Sequence, residues 1–278
     1  MFVRNVNKYS KKKQKSDFFA VFKKLDYICG YNTIVTENQM AKYNVELMFD
    51  FLHHIKYNNN TEWMHTNKAF YEKARNEFKA MSLEILTKMQ TIDTKLQGLE
   101  LKDCIFRFNR DTRFSIDKAP YKRHFGIYLV PGGKKKVGAG YYLHLQPLDK
   151  DDEEYGQSLL DIGIYMPPSK AAKLIREEIF YGGGEKLQTF LNRKDVKECY
   201  TTSFETDNLL KVLPKNLKDS PYDDLIRHKN WDLCHLLSDE DCFKDNFVDY
   251  VIESFKIGKD WNDFFNEVLY DTDFESSF

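Results

Sequence analysis

The chain has 278 residues and a mass of 33.0 kDa, which suggests one large domain or two small ones. Its 42 Lys and Arg residues balance 43 Asp and Glu residues, and the formal net charge of -1 excludes a uniformly basic nucleic-acid binder. Hydrophobic residues at 42% and aromatic residues at 15% are enough for a sizeable core, which excludes a disordered chain.

The N-terminal segment differs in charge from the rest of the chain. Residues 1–25 carry eight Lys or Arg against one acid, Asp17. We predict that residues 1–38 form a basic, poorly ordered extension and that residues 39–278 form a single α+β domain. Because no apolar run resembles a secretion signal or a membrane span, we expect a cytoplasmic protein without a membrane partner. The five cysteines form no C-x-x-C pair and are expected to be free thiols.

Two helices are predicted at the start of the domain. The first begins near Val45, where apolar residues follow helical spacing, and it ends at Asn58-Asn59-Asn60. Thr61 is the predicted N-cap of the second helix, which covers residues 62–89.

Three residues recur every four positions on the second helix: Trp63, Asn67 and Tyr71. A purely apolar stripe does not need Asn67, so these residues are candidates for the wall of a binding cleft. Packing in the core is the alternative interpretation.

The hydrophobic period then changes from helical to alternating. Cys104, Phe106 and Phe108 alternate with their neighbours, which predicts a strand. Residues 124–130 and 138–145 predict a hairpin with a basic tip, and residues 161–166 predict a fourth strand. A helix is predicted over residues 169–181, ended by Gly182-Gly183-Gly184.

The last third is predicted to be mainly helical. A helix opens near Pro221, a strand covers residues 231–237, and two helices cover residues 239–257 and 260–269. This order predicts an α+β fold, with a mainly antiparallel sheet and a central hairpin packed by N-terminal and C-terminal helices.

Arginine placement is the least expected feature of the sequence. The chain has 33 Lys and only 9 Arg, yet four arginines lie within seventeen residues, at Arg107, Arg110, Arg113 and Arg123. Arg is preferred where a planar fork must grip a carboxylate or a phosphate, whereas a solvated charge run is readily built from Lys. The placement therefore indicates a defined geometry.

Two interpretations of this stretch remain open. In the structural one, Asp111 and Asp117 pair with the arginines and Tyr121 plugs the edge of the core. In the functional one, seven cations between residues 102 and 123 exceed three acids, and the excess faces a cleft that binds an anion such as phosphate. The candidate ligand-binding residues are Arg107, Arg110, Arg113, Lys118, Tyr121, Lys122, Trp63, Asn67 and Tyr71.

Catalysis has less support in the sequence than binding. The candidate catalytic groups are Asp111 and Asp117, but an acid placed among cations is a poor general base near neutral pH. A hydrolase or transferase acting on a phosphorylated substrate is one alternative function, and a non-catalytic scaffold is another. We expect no cofactor and no metal, because no P-loop, nucleophile elbow or metal-ligand spacing occurs.

The expected partner is an anionic small molecule, with nucleic acid as a lower-ranked alternative. The sequence does not indicate an oligomeric state.

Several motifs resemble one family in the same order along the chain. The opening motifs are Phe51-Leu52, Asn58-Asn59-Asn60-x-Glu62-Trp63, Asn67-Lys68 and Tyr71. The central signature is Arg110-Asp111-Thr112-Arg113-Phe114-Ser115-x-Asp117-Lys118-x-Pro120-Tyr121-Lys122. The later motifs are Gly140 to His144, Gly163 to Pro167, Leu174 to Arg176, Leu213 to Lys215 and the region of Pro221. Over about residues 43–270 the chain resembles the domain of unknown function 2461 family.

The resemblance implies a widespread, soluble, mostly bacterial single domain with no established activity, and it supplies no catalytic residues. The chain departs from the family pattern at Thr61 and Met64, where Arg and Phe are usual. The lysine-rich N-terminal segment lies outside the resemblance. The long central signature directs attention to the same segment as the arginine placement.

Overall fold

The structure is a computed structural model that describes residues 42–113, 115–149, 156–200, 202–203, 209–270 and 272. The basic extension expected over residues 1–38 lies outside these residues and stays a prediction. Within the described part of the chain, no helix is long and apolar enough to cross a membrane.

Three helices open the fold: α1 (Val45–Tyr57), α2 (Thr61–Thr66) and α3 (Lys68–Ile92). The predicted N-cap at Thr61 is wrong, because the Asn60 side chain accepts a hydrogen bond from the backbone N–H of Trp63 at 2.8 Å. The predicted single helix over residues 62–89 is also wrong, since the chain leaves helical geometry at Asn67 between α2 and α3.

A 3₁₀ turn (Thr94–Leu96) and the short helix α4 (Leu101–Cys104) lead to the sheet. The predicted strand starting at Cys104 is wrong, because Cys104 ends α4 and both Cys104 and Ile105 are buried. The segment that follows pairs through isolated bridges, Ile105 with Ile127 and Asn109 with Tyr121. Described residues 105–113 and 115–122 form an irregular arm beside the sheet rather than a regular strand.

The sheet has the strand order β1-β2-β3-β5-β4, and every neighbouring pair is antiparallel. Its strands are β1 (Phe125–Leu129), β2 (Gly140–Leu145), β3 (Leu159–Ile164), β4 (Thr202–Ser203) and β5 (Trp231–Leu236). Strands β1 and β2 form the predicted central hairpin, with Phe125 opposite Leu145 and Leu129 opposite Tyr141. The predicted strands over residues 161–166 and 231–237 are confirmed as β3 and β5, within two residues at each end.

The helices after β3 are α5 (Ser169–Glu178), α6 (Gly184–Asn192), α7 (Lys194–Cys199), α8 (Asp223–Arg227), α9 (Asp239–Cys242), α10 (Phe247–Ile257) and α11 (Lys259–Val268). The predicted stop at three glycines is wrong, since a π turn (Ile179–Gly183) links α5 to α6. Gly182, at φ 158°, absorbs the kink. The predicted helix over residues 239–257 is two helices, α9 and α10.

Alternating residues of the sheet pack against the N-terminal and C-terminal helices. Phe125 of β1 stacks on Phe78 of α3 at 5.1 Å between ring centres, and Tyr141 of β2 lies 5.4 Å from Phe255 of α10. Asn262 of α11 donates a side-chain hydrogen bond to the carbonyl of Gly140 at 3.0 Å. The predicted α+β class, with helices from both ends of the chain packed on an antiparallel sheet, is confirmed.

Candidate functional site

An asparagine binds the irregular arm near its C-terminal end. Asn59, in the turn between α1 and α2, accepts a hydrogen bond from the backbone N–H of Tyr121 at 3.0 Å and donates one to its carbonyl at 2.9 Å. The Tyr121 ring is buried and stacks on Phe108 at 6.0 Å. The next residue, Lys122, donates its backbone N–H to the Phe108 carbonyl. These contacts fix the backbone from which Lys122 projects.

A groove of about 830 Å³ lies between α3, the irregular arm and the hairpin tip. Its apolar wall is formed by Leu101, Ile105 and Phe106. Seven cationic side chains line the groove, and Asp111 is the one acid among its described lining residues. The cations are Arg75, Lys79, Lys102, Arg107, Lys122, Lys134 and Lys135. The groove is therefore strongly cationic although the whole chain is nearly neutral.

Lys102 alone of the seven groove cations pairs with a carboxylate among the described residues, so Arg75, Arg107 and Lys122 all lack such a partner. Arg75 is half-buried and donates to the Phe106 carbonyl at 3.0 Å. Burial lowers the pKa of its guanidinium group. Burial also lowers the pKa of Lys122, and the nearby charges of Arg107 and Arg75 lower it further. These two half-buried groups would gain stability from an anion in the groove, whereas Arg107 is exposed.

The remaining groove cations have local contacts or face solvent. Lys102 pairs with Glu100 at 2.6 Å, and Lys134 donates to the Lys102 carbonyl at 2.5 Å. Lys79 and Lys135 are exposed. These four residues therefore add positive potential along the groove.

Two other candidate binding residues, Arg110 and Arg113, form salt bridges with nearby acids. Arg110 donates to Asp117 at 2.5 Å and to the Ala119 carbonyl at 3.1 Å. Arg113 binds Asp111 through Nε and Nη2, at 3.0 and 2.7 Å. Both pairs stabilise the loop itself, as the structural interpretation of the sequence expects.

Lys118 also serves the loop, because its Nζ donates to the Thr112 carbonyl at 2.9 Å. Of the nine candidate binding residues, the structure brings Arg107 and Lys122 together in the groove and leaves Arg110, Arg113 and Lys118 outside its lining.

The predicted aromatic stripe lies outside the groove lining as well. Trp63 packs on Phe51 at 6.2 Å between ring centres, and Tyr71 packs on Phe108 at 5.3 Å. Asn67 donates its side-chain amide to the Trp63 carbonyl, which satisfies the end of α2. These contacts match the core-packing alternative for the stripe.

The two candidate catalytic acids are both bound by arginines. Hydrogen bonds from the Arg113 side chain and backbone lower the pKa of Asp111 to about 2. The Ala119 backbone N–H and then the Arg110 side chain lower the pKa of Asp117. A carboxylate held in this way keeps its charge and is a poor general base near neutral pH.

Sequence reasoning missed most of the groove cations. The stripe of Trp63, Asn67 and Tyr71 continues with the same four-residue spacing to Arg75 and Lys79, which do line the groove. Arg75 also belongs to the small set of arginines in a lysine-rich chain. Those two signals together could have identified the α3 side of the groove.

A second polar cluster lies on the hairpin. The rings of His124 and His144 are 4.1 Å apart, and His144 contacts Tyr142 through Nδ1 and Gln146 through Nε2, each at 3.1 Å. Burial, together with His144 and the neighbouring cations, lowers the pKa of His124 well below its ordinary value. No group of three or more His, Cys, Asp or Glu among the described residues could hold a metal ion.

Comparison with known proteins gives one match. No curated protein and no solved structure matches the chain. The match is to a family described as a conserved hypothetical protein (DUF2461), whose model covers residues 47–264. This range includes most of α1, all of α2 to α10, all five strands and the arm with the central signature. The chain therefore belongs to the domain of unknown function 2461 family.

Proposed function

We propose that the protein binds an anionic small molecule, carrying a phosphate group, in the groove between α3 and the irregular arm. The observation that carries the proposal is the cluster of Arg75, Arg107 and Lys122, which line one groove without a carboxylate partner among the described residues. Arg75 and Lys122 are half-buried, and a charged group removed from water without a partner is costly, so an anion that pairs with them would stabilise the folded protein.

The kinds of cation in the groove support a phosphate group. Arg107 offers a planar guanidinium fork that can bind two phosphate oxygens, and Lys122 offers a point charge beside it. Asp111 also lines the groove, but its charge is compensated by Arg113. It therefore opposes an anion less than an unpaired acid would.

The size and wall of the groove favour an organic phosphate over the inorganic ion. A volume of about 830 Å³ lies in the range of small-molecule sites, roughly 300–1,000 Å³. The apolar wall of Leu101, Ile105 and Phe106 could contact the carbon skeleton of such a ligand. We infer a phosphate group held by the cations and an apolar part that lies along Leu101 and Ile105.

Calorimetric titration with inorganic phosphate, pyrophosphate and adenosine monophosphate tests the proposal. We expect the wild type to bind at least one of these probes, and Arg107→Gln or Lys122→Met to weaken that binding by roughly tenfold or more. Lys186→Met removes the same charge from an exposed position on α6, outside the groove, and should leave the affinity unchanged.

Two results would contradict the proposal. One is no binding of any probe by the wild type, and the other is equal affinity in all four proteins. The salt dependence separates a small ligand from nucleic acid, because a polynucleotide that contacts many cations loses affinity steeply between low and moderate salt.

A cytoplasmic location is a further part of the proposal. Four cysteines in the described part of the chain, Cys104, Cys199, Cys234 and Cys242, are free thiols. Free thiols are typical of proteins kept in a reducing compartment.

A further inference from the structure

Lys122 has surroundings that alter the chemistry of an amine. Its Nζ lies 4.8 Å above the centre of the Phe106 ring, and the side chain lines the groove. It is half-buried, whereas Lys79 on the α3 side of the same groove is exposed. The ring face attracts the ammonium form, whereas burial removes water from that form and favours the neutral amine.

Two arginines strengthen this effect. The charges of Arg107 and Arg75 both act on Lys122, and neither arginine has a carboxylate partner within the described part of the chain. Burial and these like charges lower the pKa of Lys122, so a larger share of its amine is unprotonated at neutral pH. Desolvation beside another cation is the arrangement that makes a lysine a nucleophile.

The backbone holds this amine in place. The N–H of Lys122 binds the Phe108 carbonyl at 2.9 Å, and Asn59 binds both polar backbone groups of Tyr121. A nucleophile fixed at the side of a cationic groove meets its reaction partner in a limited set of orientations.

We propose that Lys122 is a nucleophilic amine that forms an imine with an anionic aldehyde, a compound that carries a phosphate group as well as a carbonyl group. The proposal rests on the anion-binding function above, because Arg107 and Arg75 would hold the phosphate group. The lone pair of the amine attacks the carbonyl carbon and forms a C–N bond. The carbonyl oxygen leaves as water with one amine proton and one solvent proton, and the product is a protonated imine.

Reductive trapping tests this chemistry. The protein is treated at pH 7 with glycolaldehyde phosphate or with neutral glycolaldehyde, and sodium cyanoborohydride converts any imine to a stable secondary amine that peptide mass spectrometry locates. We expect both reagents to modify Lys122 roughly tenfold faster than exposed Lys186. Inorganic phosphate should slow the reaction of the phosphorylated reagent at Lys122.

The matched variant is Lys122→Arg, which keeps the positive charge but cannot form the imine. It should lose the fast-reacting site, while Lys186 reacts at the wild-type rate. If Lys122 and Lys186 of the wild type react at equal rates with neutral glycolaldehyde, the proposal that Lys122 is a nucleophile is wrong. This conclusion does not depend on the result of the phosphate titration.

The two reagents also separate binding from reactivity. A preference for Lys122 shown only by the phosphorylated reagent would overturn the proposal, since binding alone would explain it. Both reagents could instead prefer Lys122 while inorganic phosphate leaves the rate at Lys122 unchanged. That result would contradict both an anionic substrate and the proposed anion-binding function.

Discussion

Asp111 is bound by Arg113 through both carboxylate oxygens, with the closest contact 2.7 Å from Nη2. Arg107 lies four residues before Asp111 and lines the groove without a salt bridge among the described residues. The loop therefore pairs Asp111 with Arg113 and leaves Arg107 available to a ligand. The exposed ion pair of Asp111 and Arg113 therefore limits the negative charge that Asp111 presents to the groove.

The pairing predicts an effect of a residue that does not line the groove. Arg113→Ala should weaken phosphate binding by about threefold to tenfold, because Asp111 loses its partner and its negative charge acts directly on the groove. The double variant Arg113→Ala with Asp111→Asn should recover the wild-type affinity. Calorimetric titration of wild type, Arg113→Ala, Asp111→Asn and the double variant measures this double-mutant cycle. Equal affinity of wild type and Arg113→Ala would show that Asp111 does not act on the ligand.

Asn59 gives a prediction about the attachment of the arm. Asn59→Ala removes the partners of the Tyr121 N–H and carbonyl, and it should lower the free energy of unfolding by about 2 kcal/mol. Asn59→Asp keeps the acceptor for the N–H but loses the donor to the carbonyl, and it should fall between the two proteins. Urea unfolding followed by circular dichroism checks this order, and an Ala variant as stable as the wild type would contradict it.

Gly163 gives a prediction about the sheet. Its φ is +114°, and a Cβ added there would lie 2.1 Å from the Trp231 carbonyl oxygen on β5. Gly163→Ala should therefore lower the free energy of unfolding by more than about 3 kcal/mol or prevent folding. Gly98→Ala is the matched control: its φ is +81°, but a Cβ there meets nothing within 4 Å.

The control isolates backbone strain from the steric clash. We expect Gly98→Ala to cost about 1 kcal/mol in urea unfolding. Similar losses in the two variants would show that the close approach of β3 and β5 at Gly163 is not limiting.

Glu84 gives a prediction about pH. Burial opposes ionisation of Glu84, but hydrogen bonds from Lys42, Tyr43 and Lys88 outweigh it and lower its pKa from 4.5 to about 2. Because the folded state has the lower pKa, Glu84 stabilises the fold above its ordinary pKa, and this contribution is lost as pH falls toward 2.

The measurement is the stability difference between wild type and Glu84→Gln. Urea unfolding should show the wild type more stable by about 1 kcal/mol at pH 7, with the difference shrinking between about pH 4.5 and pH 2. A difference that stays constant across this range would contradict the assignment.

The parts of the fold that were predictable have regular hydrophobic periods. Strand β2 begins at Gly140, and its period of two places Tyr141, Leu143 and Leu145 on one face. The turn at Pro131-Gly132-Gly133 closes the hairpin, so both features could be predicted from the sequence. The segment from Cys104 to Lys122 could not, because Cys104 and Ile105 are consecutive buried residues. Tertiary contacts such as the Asn59 clamp, rather than local period, hold that segment.

The candidate site was predictable only in part for a related reason. The density of arginines identified the right loop, but sequence does not show which acid pairs with which arginine. Arg110 and Arg113 form salt bridges with acids of the same loop, whereas Arg107 forms none among the described residues. Arg75 comes from a helix more than thirty residues earlier, and only the packing of α3 beside the arm brings it to the groove.

The central claim is that Arg75, Arg107 and Lys122 together hold an anion. A crystal of the protein soaked in tungstate, a heavy analogue of phosphate, tests it most directly through anomalous scattering. We expect a tungstate peak in the groove, with oxygens within hydrogen-bonding distance of Arg107 and Lys122. An empty groove, with Arg107 paired to a carboxylate of its own chain, would contradict it.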